Sequence, residues 1–227
     1  MNQPDLYGGA DPRELPLYAQ REVARFVGVP LSTLRMWVAP VGRESEAIIR
    51  APEAVGGRLS FNNLVEVYVL NALRTRDRVP MSAVRGAASV AREHLGVRRM
   101  LLSRELRWSG DVFWASLAGL VNLSKGGQFA IREMVDGYLN RIEWDEQARL
   151  PARLFPLVVG RASETRSVVI DPRVSFGQPT LAGTGVGTSV VARRVDAGEE
   201  PGEVARDYGV AVGAVTDALL YENLTAT

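Results

Sequence analysis

The chain carries one short pattern twice, and that repetition limits its fold more than any other feature. Glu22-Val23-Ala24-Arg25 is followed after two residues by Gly28-Val29, and Glu203-Val204-Ala205-Arg206 is followed after two residues by Gly209-Val210. In each copy the apolar residues recur at helical spacing, and the glycine suits the left-handed turn that ends a helix. A second helix with one apolar face follows each glycine. The first runs from Leu31 to about Val38, with Leu31, Leu34, Trp37 and Val38 on one side, and the second from Val212 to about Asn223. The sequence therefore predicts a helix-turn-helix unit near each end of the chain.

Punctuation and periodicity place the remaining elements. Val41 to Phe61 has Ile48 and Ile49, then Pro52 and Gly56-Gly57, then Leu59 and Phe61, the pattern of a hairpin that would stand beside the first unit as a wing. A longer helix is expected from Asn62 to about Arg76 with Ser60 as its cap, and another from Ser82 to Leu95 with Ser82 as cap. Leu106 to Trp108 and Val112 to Trp114 read as a small antiparallel pair, and Gln128 to Asn140 as a helix. Leu157 to Val159 and Val168 to Ile170 read as strands, and two helices, Ser189 to Ala197 and Pro201 to Tyr208, precede the last one. The expected class is mainly α with small β elements (α+β). Its predicted order is a flexible arm over residues 1–16, a winged helix-turn-helix over 17–97, a mixed middle region over 98–166 and a C-terminal three-helix unit over 167–227.

Composition narrows the chemistry. Cys is absent, which removes disulfides, thiolate nucleophiles and Cys-containing zinc sites, and the only histidine, His94, falls on a helix with Val90, Ala91 and Leu95. A histidine-based triad or metal cluster has no material here, no close acidic group in an apolar setting suggests magnesium catalysis, and neither a cofactor nor enzymatic activity is expected. No export signal and no apolar run of roughly 20 residues is visible, so a cytoplasmic protein without a membrane anchor is expected. Ser124-Lys125-Gly126-Gly127-Gln128 lacks the Gly-Lys-Ser/Thr ending of a phosphate loop and reads as an ordinary turn.

With 27 Lys and Arg against 26 Asp and Glu, any affinity for nucleic acid must come from local clustering of charge. The first unit provides it. On its second helix the outward positions are Ser32, Thr33, Arg35 and Met36, which can reach phosphates or base edges in a major groove, and Arg35 is the leading contact. Arg43, Arg50 and Arg58 on the flanking segment would grip the backbone. The corresponding helix of the second unit has no basic residue and is surrounded by Glu199, Glu200, Glu203, Asp207 and Glu222, so it is expected to contact protein, or to form a dimer interface, rather than DNA.

Tyr18 to Arg92 resembles the MerR-like winged DNA-binding domain, most clearly in Glu22-Val23-Ala24-Arg25, Gly28-Val29 and Thr33-Leu34-Arg35-Met36-Trp37. It departs from that pattern at Pro30, where a capping serine is common, and it shows neither the long dimerisation helix nor the effector domain of MerR activators. Val169-Ile170-Asp171-Pro172-Arg173, Phe176-Gly177-Gln178-Pro179, Gly183-Thr184 and Glu203 to Tyr208 resemble a small bacterial domain found in antitoxins. The whole arrangement is similar to actinobacterial VapB-type antitoxins. That resemblance implies a homodimer that binds double-stranded DNA at its own operator and neutralises a PIN-domain ribonuclease toxin. Toxin contact would insert a basic side chain into the carboxylate cluster of the nuclease or cover its groove, with Arg193 and Arg194 as one candidate pair. The alternatives are a stand-alone MerR-like transcriptional regulator with a small-molecule ligand and, more distantly, a nuclease.

Overall fold

The computed structural model describes residues 7–39, 47–52, 56–75, 79–104, 106–108, 112–116, 119–122, 128–130, 139–156 and 165–225. Helices dominate, with small antiparallel sheets between the two helical ends, as the patterning predicts.

The first described residues are docked on the rest of the protein. Arg13 is buried and bonds Asp11 at 2.7 Å and Asp145 at 3.1 Å, Glu14 meets Arg99 at 2.9 Å, and Tyr7 Oη donates to the Pro172 carbonyl at 2.8 Å. Residues 7–16, expected within a flexible arm, are thus tied to distant parts of the chain. What holds them is a set of ion pairs to distant residues, which periodicity cannot reveal.

Helix α1 (Gln20–Val27) is closed at its start by the Glu22 carboxylate, which accepts from the Ala19 N–H at 2.7 Å. Gly28 ends it in the left-handed region at φ 70°, so that Val29 N–H returns to the Ala24 carbonyl at 2.9 Å. Helix α2 (Leu31–Val38) starts on Pro30 without a side-chain cap and stops before Ala39, which is extended as a residue preceding proline should be. Leu34 and Trp37 are buried against the core.

The expected hairpin over Val41 to Phe61 is not formed among the described residues. Ile49 N–H donates to the Trp37 carbonyl at 3.1 Å, Leu59 pairs instead with Tyr18 in an antiparallel bridge, and Phe61 already belongs to helix α3 (Phe61–Thr75). Burial explains the difference: Ile49, Leu59 and Phe61 are each fully enclosed, so they serve the core as separate anchors rather than as two paired strands. Helix α3 is the axis of that core, buried on nearly every side. Its start confirms Ser60 as cap, because Ser60 Oγ accepts from Asn63 N–H at 3.2 Å while Asn63 Oδ1 accepts from Ser60 N–H at 3.1 Å. Helix α4 (Met81–Leu95) begins on Pro80, with no side-chain cap, and ends at Gly96. Ser82 lies one residue inside it and is not the cap.

Four strands follow in an antiparallel meander: β1 (Leu106–Trp108), β2 (Val112–Ser116), β3 (Gly119–Asn122) and β4 (Gln128–Ala130). The β1–β2 pair has the expected register, Leu106 opposite Trp114. Gln128 to Ala130, expected to open a helix, instead pairs with β3, and residues 131–138 lie outside the described part. A run of three residues is shorter than the window in which helix and strand periods can be told apart. Strands β5 (Ile142–Asp145) and β6 (Leu150–Leu154) form a hairpin that sequence patterning does not anticipate. Strand β7 (Val168–Val169) pairs with β8 (Thr180–Leu181), and Ile170 bridges to Leu154. The expected strand at Leu157 to Val159 lies outside the described residues. Helices α5 (Thr188–Asp196), α6 (Pro201–Tyr208) and α7 (Val212–Thr225) complete the chain around a second small core of Leu181, Val191, Val204, Ala205, Val215 and Ala218.

Candidate nucleic-acid interface

The sequence echo is a structural one. Gly209 repeats the φ of Gly28 closely, 64° against 70°, and Val210 N–H returns to the Ala205 carbonyl at 3.0 Å as Val29 does to Ala24 at 2.9 Å. Val23 and Ala24 are buried in one copy, Val204 and Ala205 in the other. Each glycine turn thus joins two helices that pack against each other.

The two second helices present different chemistry. In α2 the face opposite Leu34 and Trp37 carries Ser32 and Arg35, both exposed, half-buried Thr33, and Met36 at 59% exposure. An exposed cation and an exposed thioether beside two hydroxyls form a short convex strip. It offers donors and acceptors for base edges or phosphates, with an apolar contact for a thymine methyl. In α7 the equivalent face carries Gly213, Thr216 and Asp217. Thr216 Oγ1 turns back to the Val212 carbonyl at 3.1 Å, and buried Asp217 accepts from Ser167 Oγ at 2.7 Å. That face holds no cation.

Of the flanking arginines, Arg50 and Arg58 are both exposed. The Arg50 backbone is pinned by Asn63 Nδ2, which donates to its carbonyl at 2.9 Å, whereas Arg58 Nη1 spends a donor on the Leu17 carbonyl at 2.7 Å. Arg43 lies outside the described residues. The two candidates on α5 separate as well. Arg193 is exposed and, among the described residues, bonds locally to the Ser189 carbonyl at 3.2 Å. Arg194 donates to Glu199 and to Asp207 and lies over the Tyr208 ring at 5.1 Å, with 24% of its side chain exposed. Glu199, then Asp207, hold its guanidinium firmly in the charged state. Arg194 therefore staples α5 to α6 through its Nε and Nη2 donors.

Sequence reasoning missed the residues that join the two helical ends. Tyr221 on α7 donates its hydroxyl to the Phe26 carbonyl at the end of α1, at 3.1 Å, and Arg25 faces Glu222 at 3.7 Å. Tyr18 Oη donates to the Gly177 carbonyl at 3.1 Å. Burial raises both phenols well above the usual tyrosine range, so both remain protonated donors. The Tyr221 and Glu222 contacts lie within the chain, between α7 and α1. Partners separated by well over a hundred residues leave no local signal.

Comparison with known proteins accords with this architecture. Residues 168–221 match the family model described as a protein of unknown function (DUF433). A Mycobacterium tuberculosis protein described as "Putative antitoxin VapB45" is 31% identical over 91% of this chain and 93% of its own length. The chain belongs to the VapB45 family. A second M. tuberculosis relative, the uncharacterized protein Rv2308, is 27% identical over 92% of this chain and 90% of its own length. Among solved structures, the crystal structure of Rv2018 from the same organism aligns with a TM-score of 0.65 at 29% identity, over 90% of this chain and 98% of that one. No helix among the described residues is long and apolar enough to cross a membrane.

Proposed function

We propose that the protein is a non-enzymatic antitoxin of the bacterial cytoplasm. It binds double-stranded DNA at its own operator through α2 and neutralises a PIN-domain ribonuclease toxin by direct contact. The observation that carries the DNA-binding half is the strip of exposed Ser32, Arg35 and Met36 with half-buried Thr33, held outward by a glycine turn and by buried Leu34 and Trp37. Kinship with the protein described as antitoxin VapB45 supports the other half. The proposed protein is a MerR-like homodimer, which would offer two such strips to successive major grooves about 34 Å apart.

Arg50, and Arg43 with it, would hold the DNA backbone beside the groove. Arg58 would contribute through the donors that Leu17 leaves free. For the toxin, Arg193 is the better candidate, because Arg194 already serves as an internal staple. Co-expression with the neighbouring gene tests the antitoxin role: that gene alone should arrest growth, and this protein should relieve the arrest. A harmless neighbour, or an arrest left unrelieved, rejects it. Gel shift on the upstream DNA tests autoregulation separately.

A further inference from the structure

Three successive residues, Ser175, Phe176 and Gly177, stand in the left-handed region at φ 47°, 52° and 73°. Glycine adopts that conformation freely, whereas a serine, and above all an aromatic residue, is strained in it. Such strain persists only where the surroundings dictate it, and here they do. Tyr18 Oη donates to the Gly177 carbonyl at 3.1 Å, Ser175 Oγ donates to the Gly185 carbonyl at 2.8 Å, and Tyr7 Oη donates to the Pro172 carbonyl at 2.8 Å. Buried Asp171 opens the turn, accepting from the Arg173 N–H at 2.9 Å.

These bonds fix the neighbours of Phe176 and leave its ring uncovered. At 64% exposure it is the most exposed large apolar side chain among the described residues. Packing therefore does not account for the strain: asparagine, polar and tolerant of the left-handed region, would suit the folded chain better on both counts. The arrangement instead presents a fixed aromatic knob on a firmly bonded turn. Preorganised aromatic side chains of this kind dominate the energetics of protein interfaces.

Charge indicates what the knob faces. Arg173 is exposed and pairs with Asp145 at 3.6 Å, a carboxylate that Arg13 holds more closely at 3.1 Å. Through Gly185 the turn also abuts the entry to α5, and there exposed Arg193 folds back along the first turn, its Nε donating to the Ser189 carbonyl. A ring accompanied by two exposed cations fits an apolar pocket with carboxylates at its rim. A second copy docked here about a two-fold axis would set like charges against each other. Lipid is a poor match as well, because a lone ring on a polar turn lacks the apolar helix face that holds a protein at a membrane surface. We propose that Phe176 is the anchor that seats this protein in an apolar, acid-rimmed pocket of another protein, with Arg173 and Arg193 meeting the rim. Resting on the antitoxin reading, that other protein is the toxin encoded by the neighbouring gene.

Biolayer interferometry of the full chain against the purified product of the neighbouring gene tests the anchor. Phe176→Asn should weaken binding about tenfold or more, and Arg193→Gln about threefold or more, whereas Phe176→Tyr should stay within about twofold of the wild type. Phe176→Asn relieves the strain, so its melting temperature should equal or exceed that of the wild type. A lower one would show the ring packed on its own chain and overturn the proposal. Equal affinity of Phe176→Asn and the wild type overturns it too, while leaving the antitoxin reading in place; a wild type that does not bind the product rejects both. Sedimentation velocity and gel shift on the upstream DNA cover the other occupants. If Phe176→Asn loses only self-association, or only DNA affinity, with toxin binding intact, the ring serves a second copy or the duplex and the proposal is wrong.

Discussion

Two glycines with nearly the same backbone angle should behave very differently when substituted. Gly28 has φ 70° with nothing within 4 Å of an added Cβ, so Gly28→Ala meets only the left-handed penalty, about 1 kcal/mol. Gly177, at φ 73°, would place a Cβ 1.8 Å from Tyr18 Oη and 2.8 Å from the ring carbon that bears it. It also closes a run of left-handed residues, Ser175 and Phe176 preceding it at φ 47° and 52°. Gly177→Ala should therefore cost about 3 kcal/mol or more in urea unfolding. The cost should shrink in a Tyr18→Phe background, where the nearest atom is gone; equal costs in both backgrounds would show that the Tyr18 hydroxyl is not what fills the space. Arg35 gives the opposite case. Its exposed side chain predicts that Arg35→Ala leaves the melting temperature unchanged while weakening operator binding by about 1–3 kcal/mol if it reads a base, as fluorescence anisotropy would measure. A purely phosphate-contacting Arg35 would instead lower affinity uniformly across sequences and reduce the salt slope by about 1.

At the level of elements, the staple between α5 and α6 links sequence to pH behaviour. Arg194 holds the Glu199 carboxyl below the ordinary glutamate range through hydrogen bonding first and charge second, with burial opposing. A depressed folded-state value means that the stability it contributes is present above the unfolded glutamate range and is lost as pH falls through the folded one. Arg194→Met should lower the melting temperature at neutral pH and lessen the further loss on acidification; a variant with the wild-type acid profile would remove the staple from the account. The elements themselves were unequally legible. Both glycine turns, α2, α6 and the cap at Ser60 could be read because each is specified within about one turn by its own residues: Gly28, Gly209, Pro201, or Ser60 with Asn63. Strand β4 and the β5–β6 hairpin were not, since Gln128–Ala130 is defined by its partner Asn122, and the hairpin turns at Arg149, a non-glycine residue at φ 54°. The hairpin expected over Val41 to Phe61 is absent among the described residues for a related reason: Leu59 does pair in β fashion, but its partner, Tyr18, lies before α1. Arg35 could be assigned to the exposed face from helical period alone, whereas nothing local set Arg194 apart from Arg193 before Glu199 and Asp207 were seen around it.

Among the described residues, several groups cross between the two helical ends. Tyr221 is the central one, because its ring is buried and its hydroxyl satisfies the Phe26 carbonyl in the last turn of α1. Arg25 and Glu222 flank it, and Glu222 also accepts from Thr188 at the start of α5, so the α7 contact reaches both α1 and the rest of the C-terminal unit. Removing only the hydroxyl, in Tyr221→Phe, leaves the ring packed and an enclosed carbonyl without its donor, a loss of about 1 kcal/mol. Truncation in Tyr221→Ala adds a cavity and should cost about 3–5 kcal/mol. That cost falls on the contact between the units more than on either core, since Leu34, Leu64 and Leu70 belong to one cluster and Val191, Val204 and Val215 to another. Calorimetry should therefore show a single unfolding transition for the wild type and for Tyr221→Phe, the latter shifted down. Tyr221→Ala should resolve into two transitions, the C-terminal unit melting first because its core is the smaller. If Tyr221→Ala still unfolds in one step, the two units share more than this contact, and the α1–α7 seam is not what makes them cooperative.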